Sequence, residues 1–296
     1  MLSVEGLTKR FPGGKGIEDV TFTVHRGEVF GFLGPNGAGK STTIRHMMGF
    51  MKPDRGKVTL LGFDTWKQQG AFRRQVGYLP GEIAFLEGMT GIGFLEFLAR
   101  MQGVDSSAKR GRLIERLQFD ARTPIRKMSK GMKQKVGIVA AFMHDPELIV
   151  LDEPTSGLDP LMQRTFIELV LEEKARGTTF LMSSHSFPEI ERTCDRAAII
   201  KDGRIVAVRD IGELQSMQRK RIELTFERPE DAERFARSEG MLVESRSGNR
   251  VVVAVSGSMS ELIRAAAACS ALSLDPAAQS LEDVFMHFYD RRGDVR

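Results

Sequence analysis

The sequence predicts an α/β fold built on a parallel core, and three observations carry that expectation. The first is a strand–loop–helix unit. The apolar run Val29-Phe30-Gly31-Phe32-Leu33 leads into Gly34-Pro35-Asn36-Gly37-Ala38-Gly39-Lys40-Ser41-Thr42, which opens into the helix-compatible Thr43-Ile44-Arg45-His46-Met47-Met48. The second is a set of continuous apolar runs, at 148–151, 179–184 and 197–200, suited to strands buried on both faces of a parallel sheet. The third is that helical patterns separate these runs, and strand–helix alternation is the mark of an α/β sheet.

The loop at 34–42 fits G-x-x-x-x-G-K-[ST], with Gly34, Gly39, Lys40 and Ser41 in place. Each position has a physical reason. Gly34, Gly37 and Gly39 lack a Cβ, so the backbone can take φ > 0 and turn its N–H groups inward around a polyphosphate. Lys40 adds a point charge for the β and γ phosphates, Ser41 a hydroxyl for Mg²⁺, and the helix N-terminus its unpaired donors and positive dipole end.

Before this loop, residues 2–33 read as short strands with turns: Leu2 and Val4, then Val20-Thr21-Phe22-Thr23-Val24, then the His25-Arg26-Gly27-Glu28 turn. After it, Pro53-Asp54-Arg55-Gly56 reads as a turn and Lys57-Val58-Thr59-Leu60-Leu61 as a strand. From about Ala84 the pattern is helical, with Ile92, Leu95, Leu98 and Met101 at one spacing and Leu113, Arg116 and Leu117 at another. A helix starting after Ser129 completes what reads as an inserted helical subdomain, about 84–140. Near Ile211 the pattern breaks. Ile222, Leu224 and Phe226 alternate with polar residues, a charged helix follows at 230–239, Ser247-Gly248-Asn249 turns into 251–255, and helices at about 258–269 and 281–289 close the chain. Residues 219–296 thus form a small α+β appendage behind a body of 1–218, either a regulatory or dimer contact or a stabilising cap.

The 296 residues suffice to bury a core, and 41% hydrophobic with 28% charged is ordinary globular composition. A net charge of +4 is small for this length and gives no reason to invoke nucleic acid. Cys194 and Cys269 are too few for a disulfide framework or a zinc site and read as reduced packing residues of a cytoplasmic protein. His25, His46, His144 and His287 lack metal spacing and read as surface or core residues. The N-terminus has no signal-peptide character, and no run approaches the ~18 to 20 apolar residues that span a bilayer. Any membrane function therefore requires a separate membrane chain.

Asp152 and Glu153 end the 148–151 run. Behind a phosphate loop, such a pair can bind Mg²⁺ and polarise an attacking water. Together with Ser129-Lys130-Gly131-Met132-Lys133-Gln134, Ser156-Gly157-Leu158-Asp159 and His185, these residues resemble the nucleotide-binding subunits of ATP-binding cassette (ABC) transporters. The resemblance covers about residues 1–215, and Leu281-Glu282-Asp283-Val284-Phe285 looks like the tail of exporter-type members. It implies a P-loop NTPase fold with an ABC-type mixed core, ATP and Mg²⁺ as cofactors, and hydrolysis by Glu153, His185 and Lys40. It also implies a signature segment (Ser129, Lys130, Gly131) and an Asp159 loop that act across a homodimer or paired cassette, and a transmembrane permease partner that makes the protein peripheral to the inner face of the cell membrane.

Most members carry Gly where Lys130 stands, though Lys is familiar among drug- and lipid-exporter subunits. Ser129 is a good N-cap, and Gly131 lets an anion approach the helix end. Phe11 resembles the aromatic that stacks on adenine, where most members have Tyr; a loop Phe can equally be packed. After Tyr78-Leu79-Pro80, where most members place a Mg²⁺-ligating Gln, stands Gly81, followed by Glu82. Either Glu82 takes over as ligand, alongside Ser41 and Asp152, or water fills the place. Ile83, Phe85, Leu86 and Met89 crowd the junction with the helical subdomain as a partner-docking groove or as core.

Other readings stand beside this one. A nucleotide kinase would have no use for the signature segment or His185, and cassettes of DNA repair usually carry coiled coils or zinc cysteines. A poorly hydrolysing regulatory subunit remains open because of Gly81.

Overall fold

The structure, a computed structural model, describes residues 1–86, 88–217, 220–238, 241–255 and 259–277. The chain divides into two compact units, one ending at Ile211 and one starting at Gly212. The first runs β1 (Leu2–Arg10), β2 (Gly16–Val24), β3 (Val29–Leu33), α1 (Lys40–Met47), β4 (Arg55–Leu60), β5 (Phe63–Asp64) and β6 (Val76–Leu79). It continues with α2 (Gly91–Gln102), α3 (Ser107–Arg116), α4 (Lys130–Phe142), β7 (Leu148–Asp152) and α5 (Pro160–Ala175), then β8 (Thr179–Ser184), α6 (Phe187–Thr193), β9 (Arg196–Lys201) and β10 (Arg204–Asp210). The α/β class is as the sequence predicts.

Two sheets make this unit. One has the order β10-β9-β3-β8-β7-β6 and is parallel from β9 through β6; the other, β2-β1-β4-β5, is antiparallel. Strands β3, β7 and β8 are buried at every position, as their unbroken apolar runs require. A shared core joins the sheets. Phe22 of β2 lies 5.2 Å from Phe30 and 5.3 Å from Phe32 of β3, ring to ring, and Ile44 and Met47 of α1 are buried in the same cluster. Each fully buried phenylalanine contributes about 1.5–3 kcal/mol.

The register fixes what the sheet presents at one edge. Leu33 pairs with Ser184, Asp152 with Ser183, and Leu79 with Leu151. The residues that follow the strands, Gly34, Glu153, His185 and Pro80-Gly81, therefore emerge side by side, and the carboxyl edge of such a sheet is where ligands bind.

Some local expectations need correction. The first strand extends to Arg10, and Arg55 and Gly56 belong to β4 instead of a turn, because backbone pairing with β1 carries through them across a bulge. In α2 the buried face is Gly91, Phe94, Leu95 and Ala99; Met101 is 67% exposed. In α3, Leu113 is buried, while Arg116 turns to an ion pair with Glu172 of α5.

Helix α7 (Ile211–Met217) begins at the unit boundary. The second unit follows with β11 (Lys220–Phe226), α8 (Pro229–Ala236), β12 (Leu242–Ser247), β13 (Arg250–Val255), α9 (Met259–Ala268) and β14 (Ala271–Ala277). Its antiparallel sheet has the order β12-β13-β11-β14, and Leu224, Phe226, Phe235, Val251, Val253 and Leu262 form its own core. Strands β12 and β14 escape a sequence reading. The first is mostly exposed and polar, and the second carries Pro276, which is compatible with its place at the sheet edge. The 281–289 helix and the 281–285 tail lie outside the described residues, as does His287.

Candidate active site

The site forms where β3, β7 and β8 end. Gly37 and Gly39 adopt positive φ (82° and 108°), and α1 starts directly behind them at Lys40. Lys40 is 5% exposed. Its Nζ donates to the Gly34 carbonyl at 2.6 Å and the Pro35 carbonyl at 3.3 Å, and pairs with Glu153 Oε1 at 3.1 Å. The loop thus holds its cation at its own mouth.

Glu153 sits just past β7 with φ of +52°, a conformation that costs a non-glycine residue on the order of 1–3 kcal/mol and tends to occur at functional sites. The turn aims its carboxylate between two partners, Lys40 on Oε1 and His185 Nδ1 on Oε2 at 2.6 Å. Asp152 is buried, and Ser183 Oγ donates to its Oδ1 at 2.6 Å while accepting from the Glu153 N–H at 3.0 Å. One hydroxyl therefore holds the Asp152 carboxylate and the Glu153 backbone. Ser183 was legible only as a strand residue.

Ser41, Asp152 and Glu82 line one cavity of about 710 Å³, together with Asn36, Gly81 and Glu153. Gly81 lies so close to Asp152 that a Cβ there would come within 3.3 Å of Oδ2. The absence of a side chain brings the backbone against the acidic strand and Glu82, which is exposed, into the same cavity. A hydroxyl and two carboxylates are hard oxygen donors of the kind Mg²⁺ takes. Among the described residues no group of three His, Cys, Asp or Glu is placed to hold a metal ion by itself.

Phe11 occupies a tight turn, its N–H donating to the Lys15 carbonyl at 2.9 Å. It lines a cavity of about 390 Å³ with Asn36, Gly37, Gly39, Lys40, Ser41 and Thr42, so an aromatic face and the phosphate loop share one space. The β9–β10 turn braces the loop from behind. The Gly203 N–H donates to the Ala38 carbonyl at 3.0 Å, and its carbonyl accepts from Glu18 N–H at 2.8 Å.

The segment 129–134 opens α4 and packs against the loop that follows Glu153. Ser129 caps α4 by accepting from Met132 N–H at 3.2 Å, as expected of an N-cap serine. Lys130 is exposed and reaches Ser156 Oγ at 3.0 Å. Gly131 packs against the next loop so closely that a Cβ would fall 2.7 Å from the Gly157 carbonyl oxygen. Gln134, buried, donates to the Pro154 carbonyl at 2.8 Å, tying α4 to the loop behind Glu153. Sequence reasoning gave Gln134 no role of its own. Asp159 caps α5, accepting from Met162 N–H at 3.0 Å within the chain.

At the helical junction Leu86 is 48% exposed, while Phe85 is half-buried against Phe94, with ring centroids 5.1 Å apart. Ile83 lines the 710 Å³ cavity beside Phe50, Tyr78 and Leu98. The Tyr78 hydroxyl is pushed up to about 12 by burial and by the Asp152 charge. His46 is buried, with Nδ1 donating to the Thr42 carbonyl at 2.8 Å, and His25 is exposed. Cys194 and Cys269 are buried and free.

Comparison with known proteins shows what the whole chain is similar to. The family model for ABC transporters matches residues 17–156. An uncharacterised ABC transporter ATP-binding protein of Nostoc is 40% identical over 209 residues, 68% of this chain and 62% of its own length. The chain thus spans less than two thirds of that relative. A linearmycin resistance ATP-binding protein of Bacillus subtilis is 36% identical over 70% of this chain and 68% of its own. The solved ATP-binding subunit of an ABC transporter superposes with a TM-score of 0.67 at 36% identity, covering 73% of this chain and 92% of that one.

Proposed function

The chain belongs to the ATP-binding proteins of ABC transporters, and on that footing we propose that it hydrolyses ATP as one half of a paired cassette and drives export through a separate transmembrane permease subunit. The observation that carries the chemistry is the placement of Glu153 between Lys40 and His185. In this reading Glu153 accepts a proton from, or orients, the water that attacks the γ-phosphate in line. His185 contacts the γ-phosphate, and Lys40 moves its donors from the loop carbonyls to phosphate oxygens. Phe11 offers its ring face to adenine. Ser41, Asp152 and Glu82 would hold Mg²⁺, which when bound neutralises charge developing on the phosphates.

Residues 1–218 act as the cassette, with the helical subdomain at about 84–140, and 219–296 as an appendage. Pairing follows from the signature segment: Ser129, Lys130 and Gly131 lie on the surface, at the N-terminus of a helix, a place that suits an anion supplied by another chain. The partner can be a second copy or a homologue. Among the described residues no helix is long and apolar enough to cross a membrane. From its membership of the ABC ATP-binding proteins we place the protein in the cytoplasm, peripheral to the membrane through its permease. The resistance-type relative supports the export direction.

The permease docks at the groove lined by Phe50, Ile83 and Leu98 and at the exposed Leu86 that follows Ile83 in the chain. Because Phe85 is packed on Phe94, Leu86→Ser is the cleaner test. Loss of co-purification with the permease at unchanged ATP binding supports docking, and full retention argues against it. The hydrolytic role is tested by steady-state phosphate release from Mg-ATP. Glu153→Gln lowers turnover by about 10²-fold or more, the range of lost general-base assistance, with ATP affinity near wild type. Unchanged turnover would remove Glu153 from the chemistry.

A further inference from the structure

Glu189 lies in the first turn of α6 with 7% of its surface exposed. Its Oε2 accepts from Ser184 Oγ at 2.5 Å, and Ser184 Oγ in turn accepts from Ser186 N–H at 2.9 Å. These bonds close on the residues either side of His185. With its one proton committed to Glu189, the Ser184 hydroxyl presents a lone pair to the Ser186 N–H, so the carboxyl dictates how the turn is held. Thr155, two residues after Glu153, lines the same cavity as Glu189, and its hydroxyl acts to lower the pKa of that carboxyl. Oε1 is left buried without a hydrogen bond of good geometry.

A buried carboxyl with an unsatisfied oxygen is costly, on the order of 1–3 kcal/mol, and such a group calls for an explanation. Packing alone is a poor one, since an apolar side chain of this size would fill the space without the cost. Burial holds the carboxyl above the usual carboxylate range, helped by the nearby Glu153 charge and opposed by the Ser184 and Thr155 hydroxyls. Glu189 also lines a cavity of about 430 Å³ with Glu153, Thr155, Ser156 and His185, so the loops that it joins have space to move against each other.

We propose that Glu189 is a positioning residue for ATP hydrolysis, joining the turn that carries His185, through Ser184, to the loop that follows Glu153, through Thr155. It touches no reacting atom. It keeps the two loops in the register that sets the 2.6 Å contact between His185 and Glu153, and closure of the Thr155 hydroxyl onto Oε1 tightens that register when the loop is engaged. Catalytic hydrogen bonds commonly tighten in this way between the free and reacting states.

The inference rests on the hydrolytic reading above, and a pair of variants of similar volume separates it from packing. Glu189→Gln keeps an acceptor for Ser184 and a donor for Thr155; Glu189→Met fills the space and makes neither bond. For the full-length chain with Mg-ATP, Glu189→Met is expected to lower kcat about tenfold with KM within about twofold, and Glu189→Gln to restore most of it. Ser184→Ala should match Glu189→Met, and combining the two should add little, the sign of residues acting as a unit. Equal kcat in the Met and Gln variants would overturn the proposal. The His185 Cε1–H resonance gives a readout independent of turnover. It should move in Glu189→Met and stay in place in Glu189→Gln, so a wild type without ATPase activity would overturn the hydrolytic reading and leave this coupling to be judged by the spectrum. An unmoved resonance in both variants would overturn the coupling itself.

Discussion

The phosphate loop and the signature segment are both places where a loop gives way to the N-terminus of a helix, yet this chain finishes one and leaves the other open. At 34–42 the loop's cation and parts of its backbone have internal partners. Lys40 is buried and bonded to two carbonyls and to Glu153, and the β9–β10 turn supports the loop from behind. At 129–131 the cap is made, but Ser129 and Lys130 face outward, and the segment's internal contacts run backward to the 154–157 loop. The difference teaches that a cation and a ring of donors can be preorganised within one chain, whereas an outward-facing helix N-terminus gains its function only from what approaches it.

Gly131→Val breaks this comparison most sharply. The added Cβ would meet the Gly157 carbonyl at 2.7 Å, so the segment must shift away from the loop behind Glu153. ATPase turnover should fall about tenfold or more, equivalent to about 1.4 kcal/mol or more of transition-state stabilisation, while equilibrium ATP binding to the single chain stays within about twofold. A parallel loss of ATP binding would show that the two halves are not separable.

Glu82 sharpens the comparison from the finished side, with a smaller effect. If the Gly81 backbone brings Glu82 into the metal shell, Glu82→Ala should raise the Mg²⁺ concentration for half-maximal turnover roughly threefold, below the tenfold that 1.4 kcal/mol would give, and Glu82→Gln should stay near wild type. Identical metal dependence in wild type and the Ala variant would leave the place to water.

How much of this was legible in the sequence follows from what kind of contact sets each feature. Gly34–Thr42, Asp152, Glu153 and His185 could be read because strict local spacing places each after a buried apolar run, and the parallel register then brings them together. Gln134, Ser183 and Gly203 could not be assigned, because their roles depend on partners far along the chain: Pro154, Asp152 and Ala38. Helical periodicity found α2 but did not show that Met101, at the same spacing as Leu95, is exposed, since only the packed neighbours decide which edge of an apolar stripe is covered. In the second unit, polar β12 lacks the alternation that marks a strand, and in β14 the short alternation Leu272-Ser273-Leu274-Asp275 runs into Pro276, which argues against a strand.

The central claim, that ATP is held between the finished half of one chain and the open half of another, is tested most directly by mass. Glu153→Gln, which should bind ATP and hydrolyse it slowly, is measured by light scattering after size exclusion, with and without Mg-ATP, and its bound nucleotide is counted. The account predicts a monomer that becomes a dimer with two ATP when Mg-ATP is present, and no dimer when Ser129→Arg is added to the same chain. A monomer that binds one ATP at saturation and stays monomeric would contradict it.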